Sequence, residues 1–399
     1  MSALLETDAP EAPAAPVLVD TNLLADLQRF GAPDVTACFS CGTCTAICPL
    51  ADDDGTFPRR MIRYAQVGMT DALLSSKELW TCYHCGLCSE SCPMEAEPGE
   101  FMAAARRYAI ASYDRTRLSR TMSTRPVAGT AIAVLVAAFF AVFMYASHGP
   151  QSGDTLDLFR FVPEGLIHWT GVAVMMLLAL VGLSSLTTMA RRIARREQVE
   201  RPPLRAAVRA FWSAAVVEAI GQRRYRADCR DDERAPEPLW RRRWLVHALT
   251  VWGFLGLLAA TILDYGLSLV GVKEVGAHVA VWYPTRLLGT IAGISLVYGV
   301  SVLALNRFRR VNQTSKRSAP SDWLFLALLW LTGVTGFLIE LALYLPQAPV
   351  WGYWVFLFHV AVAMELLLLL PFIKFAHVLY RPAALFFHAL AGERRATAA

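Results

Sequence analysis

Trp351-Gly-Tyr-Trp-Val-Phe-Leu-Phe-His359-Val-Ala-Val-Ala-Met-Glu365-Leu-Leu-Leu-Leu-Leu-Pro371-Phe-Ile-Lys374-Phe-Ala-His377-Val-Leu-Tyr380 is apolar almost throughout, yet it carries two histidines. His359 and His377 lie eighteen positions apart. Eighteen steps of 100° close five turns, so on a single helix both imidazoles leave one face, separated by roughly 27 Å against ~30 Å for a bilayer core. One helix then offers a metal ligand near each membrane surface. Ionisable groups inside apolar spans are costly and usually functional, which outweighs the alternative of two histidines merely seated at the interfaces.

The chain around this run has 399 residues, 55% hydrophobic and 18% charged, the balance of a membrane protein. Six runs are long enough to span a bilayer, at about 126–147, 164–190, 244–270, 285–305, 322–345 and 351–380. The loop from Arg191 to Arg243 holds fifteen arginines and Asn306 to Ser318 five basic residues, whereas Ser147 to Glu164 has only Arg160. The positive-inside rule makes the basic loops cytoplasmic and, with six spans, brings both termini to that side. The net charge of +5 is concentrated in these loops, so the partner it implies is a lipid bilayer and not nucleic acid. Within the large loop, Leu204, Ala207, Val208, Phe211, Trp212, Ala215, Val216, Ala219 and Ile220 recur at helical period between arginines. Such a stripe suits a helix on the inner membrane surface or one docked against a soluble domain.

The strongest chemical signal precedes the spans. Cys38-Phe-Ser-Cys41-Gly-Thr-Cys44-Thr-Ala-Ile-Cys48-Pro49 recurs as Cys82-Tyr-His-Cys85-Gly-Leu-Cys88-Ser-Glu-Ser-Cys92-Pro93, with identical spacing. Three cysteines at two-residue intervals wrap one corner of an iron–sulfur cube, and the fourth reaches a second cube. Crossing in this way, Cys38, Cys41, Cys44 and Cys92 hold one [4Fe-4S] cluster, and Cys82, Cys85, Cys88 and Cys48 the other. A structural zinc site needs only four ligands on paired hooks, so two complete runs with trailing prolines argue against it. His84 reads as a spacer, and Cys229, which has no partner run, receives no role. Between the runs, Met61, Ile62, Tyr64, Ala65, Val67, Leu73 and Leu74 recur at helical intervals, which predicts a helical ferredoxin.

The expected fold is therefore all-α: a disordered leader (1–25), an α-helical two-cluster ferredoxin domain (26–120), a six-helix transmembrane cytochrome b bundle (121–385) with an arginine-rich loop (191–243), and a tail (386–399). In the membrane, His247 lies about one turn inside the third span and His377 near the same end of the sixth. A histidine pair at one depth on two helices binds a b-type haem through both axial positions. At the outer end His359 has His168 as its depth match, followed by His278 and His148. Asp264, Glu340 and Glu365 are candidate proton donors to a quinone, and Lys374 is expected to reach toward the inner surface.

The segment Pro58-Arg-Arg-Met-Ile-Arg-Tyr-Ala-Gln-Val-Gly68, followed by Leu79-Trp80-Thr-Cys82, resembles the C subunit of heterodisulfide reductases over about residues 30–115. That family's catalytic partner works at Cys-Cys-Gly doublets, which do not occur here, so the resemblance implies a relay. Spans two to six resemble the gamma subunit of respiratory nitrate reductases, a cytochrome b with two haems. There one helix carries histidines ten apart and the last helix histidines eighteen apart. His247, His359 and His377 match the pattern, while Leu257 stands where the fourth ligand is expected. The fusion of the two parts resembles the C subunit of the quinone-interacting membrane-bound oxidoreductase. This resemblance implies a prokaryotic inner membrane, menaquinone or ubiquinone, and flavin-containing subunits like heterodisulfide reductase A. It also implies adenylylsulfate reductase as a soluble partner in dissimilatory sulfur metabolism. A membrane redox sensor or assembly anchor, or a relay for a different heterodisulfide-reductase-like flavoprotein, are the alternatives.

Overall fold

The computed structural model describes residues 18–51, 56–151, 155–199, 201–228, 238–274, 276–311, 317–345 and 348–398. Most of the expected leader, and Cys229, lie outside these. Among the described residues every regular element is helical.

The N-terminal domain is built around Leu23–Arg29, Arg59–Gln66 and Pro98–Tyr113. Leu27, Met61, Ile62, Leu73, Trp80, Phe101 and Ala105 fill its centre and are almost wholly buried. Pro98 opens the longest of these helices, where its missing N–H costs nothing and its fixed φ favours the first turn. The spacing-based expectation of a helical insert holds: Met61, Ile62 and Ala65 are the buried face of Arg59–Gln66.

Six helices are long and apolar enough to cross a membrane: Pro126–Ala146, Glu164–Glu197, Arg243–Leu269, Pro284–Phe308, Pro320–Tyr344 and Val350–Phe372. The sixth is the most enclosed. Its Tyr353, Phe356, Leu357, Val360 and Met364 pack with Phe140 and Met144 of the first span, Val174 of the second, and Ile339 and Ala342 of the fifth. The third and fourth spans form a tight pair. A Cβ on Gly253 would collide with the backbone of Ala292 and Leu296, and one on Gly299 with the backbone of Val246. Small residues allow this approach, which in lipid replaces the missing hydrophobic drive with van der Waals contact.

The last apolar run is not one helix, contrary to the reading of Trp351 to Tyr380 as a continuous post. Val350–Leu369 is α-helical, Leu370–Phe372 tightens to a 3-10 turn, Ile373 is extended at φ −114° and ψ −173°, and a new helix runs from His377 to Ala398. Pro371 accounts for the end of the α-helix: it has no N–H to give to the carbonyl four residues back, and the backbone leaves the helical region at Ile373. The 100° register is lost there, so His359 and His377 do not share one face of a continuous helix.

The N-terminal domain shares a core with the membrane helices. The second span outruns its apolar stretch, and Met189 and Ile193 join Ala376, Tyr380, Ala384, Phe387 and Leu390 of the C-terminal segment against the ferredoxin core. Tyr380 stacks near Trp80 at 4.8 Å and Tyr113 at 5.5 Å. Polar ties surround this contact. Arg196 donates to Ala72 O, Ser75 Oγ and Tyr64 Oη, and Lys77 pairs with Glu197 at 3.0 Å. Asp322, buried at the start of the fifth span, meets Lys374 at 3.3 Å, Arg307 at 3.6 Å and Arg107 of the N-terminal domain at 3.9 Å.

Both readings of the loop stripe are met in part. Leu204–Trp212 continues as a π-helix, Ser213–Ile220. Ala206, Ala210 and Ala214 are buried, the helix lying beside the C-terminal one, while Leu204, Val208, Phe211 and Trp212 remain exposed.

Candidate functional site: two thiol sets and a histidine pair

The two cysteine loops repeat in backbone as well as in sequence. Ser40 (φ 66°) and His84 (φ 56°) precede the second cysteine of each run, and Gly42 (φ 90°) and Gly86 (φ 91°) follow it. Glycine adopts this left-handed backbone without Cβ strain, and each glycine then starts a single helical turn, Thr43–Ala46 or Leu87–Glu90. The turn brings the third cysteine of each run back toward the first two.

The thiols fall into two sets. Cys48 lines one small cavity with Cys82, Cys85 and Cys88. Cys44 feels the charges of Cys38, Cys41 and Cys92. Cys48 of the first run thus lies beside the first three cysteines of the second. Among the described residues no three His, Cys, Asp or Glu side chains converge closely enough for a single metal ion. The sets differ in exposure. Burial pushes the Cys48 thiol up to about 12 and raises Cys88 too, whereas Cys41 is exposed and lowered by the Thr43 hydroxyl at 3.4 Å. His84, read as a spacer, is packed inward with Nε2 3.7 Å from Glu100, and burial holds its ring well below the usual range.

Three arginines close on the second loop. Arg106, from Pro98–Tyr113, donates to Leu79 O and Cys82 O, both at 2.7 Å. Arg243, the first residue of the third span, donates to Cys85 O at 3.1 Å and His84 O at 3.0 Å. Arg381 donates to Trp80 O and Cys82 O, both at 3.1 Å, with its guanidinium 4.5 Å from the Tyr83 ring centre.

His247 and His377 lie one helical turn from two of these arginines, four residues after Arg243 and four before Arg381. Each has one ring nitrogen tied down. His247 Nδ1 donates to Gln222 Oε1 at 3.0 Å, and His377 Nδ1 to Lys374 O at 2.7 Å. Both hydrogen bonds fix the tautomer with Nε2 as the lone-pair nitrogen, the arrangement usual for a metal-ligating imidazole. Gln222 is 4% exposed and sits at φ 50°, just past the end of the π-helix, so the internal loop itself delivers it to the third span. On these grounds the residues present fit a bis-histidine haem.

The outer residues are held separately. His359 Nδ1 donates at 2.8 Å to Thr335 Oγ1, whose own proton goes to Leu331 O, again leaving Nε2 as the lone-pair nitrogen. His168 stacks on Tyr265 at 5.2 Å. Among the described residues no ring contact joins His168 to His359. His148 is exposed and bonded to Tyr145 O, and His278 is exposed. Leu257 packs among the apolar side chains around Leu296 and Leu366. Asp264 pairs with Lys273 at 2.6 Å and accepts from Thr285, and Glu340 accepts from Thr290 at 2.8 Å. Glu365 is 3% exposed in the sixth span and makes no hydrogen bond among the described residues. Reading the sequence alone missed Gln222, Thr335 and the arginines. Only the arginines left a signal, in the four-residue steps Arg243 to His247 and His377 to Arg381.

Residues 34–120 match the family described as a 4Fe-4S dicluster domain, and residues 121–399 match the family described as Citrate utilization protein B. The Citrate utilization protein B of Escherichia coli is 34% identical over 148 residues, 37% of each chain. The C subunit of the H(2):CoB-CoM heterodisulfide,ferredoxin reductase of Methanothermobacter thermautotrophicus is 34% identical over 62 residues, 16% of this chain and 34% of that one. The iron-sulfur C subunit of the CoB--CoM heterodisulfide reductase of Methanopyrus kandleri is 41% identical over 46 residues, 12% and 24%. The chain thus spans little more than a third of the length of the curated relatives it matches. No solved structure matches. The N-terminal part is similar to iron–sulfur electron-transfer subunits, and because the second family model covers more than half of the sequence, the chain belongs to the Citrate utilization protein B family.

Proposed function

We propose that this protein is a membrane electron-transfer subunit that relays electrons between a flavin-containing partner and the quinone pool. Two [4Fe-4S] clusters, on Cys38, Cys41, Cys44 and Cys92 and on Cys82, Cys85, Cys88 and Cys48, form its soluble half. A b-type haem on His247 and His377 supplies a one-electron carrier inside the membrane. The observation that carries this reading is the juxtaposition of a thiol-lined cavity with two imidazoles whose Nδ1 protons are already engaged.

The chain's own residues do the positioning. Gln222 and the Lys374 carbonyl hold each imidazole in the ligating tautomer and fix its ring plane. The apolar walls around Phe254, Phe325 and Phe375 keep water away from the inner pair. An outer haem on His359, with His168 as second ligand, is the further element of the proposal, and Thr335 does for His359 what Gln222 does for His247. Asp264, Glu340 and Glu365 are its candidate proton donors to quinone. Glu365 is the one without a hydrogen-bond partner among the described residues.

The basic loops favour the cytoplasmic side for the cluster domain, residues 26–120, and for both termini, and the membrane proposed is a prokaryotic inner membrane. Partners of two kinds fit. Relatives named as parts of heterodisulfide reductases favour partners of that type; the form proposed here is flavin-containing subunits with adenylylsulfate reductase behind them in sulfur metabolism. The relative named for citrate utilization favours a partner in the use of an organic acid. Mixing purified chain with a reduced menaquinol analogue tests the quinone step: reduction of the b-haem band supports it, and an intact haem that stays oxidised refutes it.

A further inference from the structure

The two cysteine loops have the same spacing and the same backbone, but they are held from different places. The first is held from within its own domain: Gln66 donates to Cys38 O at 2.9 Å and Arg59 to Ser40 O at 3.3 Å. The second is held from the membrane helices as well, by Arg243 on Cys85 O and His84 O and by Arg381 on Trp80 O and Cys82 O. Arg243 grips with both terminal nitrogens and Arg381 with Nη1 alone; each is a planar donor with a fixed positive charge, so holding two carbonyls sets both the distance and the orientation of that loop. Arg243 precedes His247 by four residues and Arg381 follows His377 by four. In a helix such pairs lie on one face, one turn apart. The same two helix faces that present the imidazoles therefore grip the backbone of the second loop.

We propose that Arg243 and Arg381 are positioning residues that fix the Cys82–Cys88 loop over the His247–His377 pair. The cluster on Cys82, Cys85, Cys88 and Cys48 is then the one that exchanges electrons with the haem. The cluster on Cys38, Cys41, Cys44 and Cys92, whose loop exposes Cys41 and Phe39, faces the soluble partner. This inference rests on the relay reading. With both groups bound, the step would be a one-electron exchange in which the second cluster is oxidised and the haem reduced, with no bond broken and no proton moved. Positive charge on the ligand carbonyls stabilises the extra electron of the reduced cluster and so raises its potential.

The test uses the full chain with both clusters and haem bound, as wild type and as R243Q, R381Q, R243K and R381K. C41S and C88S assign the two cluster signals in redox titrations followed by paramagnetic resonance. The glutamine variants are expected to lower the potential of the signal altered in C88S and to leave the one altered in C41S unmoved. Haem reduction through the clusters slows by about tenfold or more at unchanged haem content, as misplacement of a reacting pair predicts. The lysine variants keep the charge without the fork, so they retain the potential and lose part of the rate. A potential shift confined to the C41S signal, or unchanged potentials with wild-type haem reduction in all four variants, overturns the assignment. Wild-type chain lacking a b-haem band removes the relay reading itself, a failure distinguishable from these.

Discussion

Gln222 is buried, sits at a positive φ and spends its amide oxygen on His247 Nδ1. Replacing it by leucine removes the acceptor that fixes the tautomer, and loss of such a partner typically weakens ligation by about 10- to 100-fold. Haem titration of Q222L by visible absorbance should therefore need more haem for half-saturation, while the cluster spectrum is unchanged. Glu100 gives a pH signature in the soluble domain. Burial raises its carboxyl from 4.5 to about 7, so between those values the folded form keeps a proton that the unfolded chain has released. Stability from this group is complete below about 4.5 and declines as pH rises through about 7. Thermal loss of the cluster absorbance should come at lower temperature as pH rises through this window, and E100Q should flatten that slope. Cysteines and histidines announced themselves in the sequence because few residue types do their chemistry. Gln222 did not, because its role depends on where a π-helix ends.

The decisive element is the interruption at Pro371. A count of 100° per residue across Trp351 to Tyr380 takes a proline as a helical residue, whereas the backbone leaves the helical region at Ile373 before a further helix begins at His377. Pro371→Ala allows the sixth span to continue as one helix, which carries His377 away from Gln222 and His247. Loss of the haem band with both clusters retained is the expected outcome, and a P371A chain with normal haem would refute a role for the break. The six apolar runs were legible because each exceeds the length of a bilayer core, and their boundaries differ from the observed helices mainly where helices outrun the apolar stretch. Glu164–Glu197 is the clearest case: its polar last turns belong to the contact with the N-terminal domain, which hydropathy does not report.

At the scale of the molecule, the N-terminal domain and the membrane helices are one packed body, with Tyr380 wedged between Trp80 and Tyr113 and only 1% exposed. Truncating a buried aromatic of this size costs roughly 3–5 kcal/mol. Y380A should loosen the contact, made visible as faster proteolytic release of the cluster domain and slower passage of electrons to the haem. Composition and cysteine spacing gave both halves of the protein, but nothing local in the sequence encodes their joint core, since its members come from residues as distant as Leu27 and Leu390. The central claim is that the clusters feed a haem on His247 and His377. Its most direct test is the haem content of H377A beside wild type, with iron bound to clusters measured in both. The account predicts a b-haem band at wild type that is lost in H377A, with roughly eight cluster irons retained in each. An H377A chain with undiminished haem, or a wild-type chain with none, would contradict it.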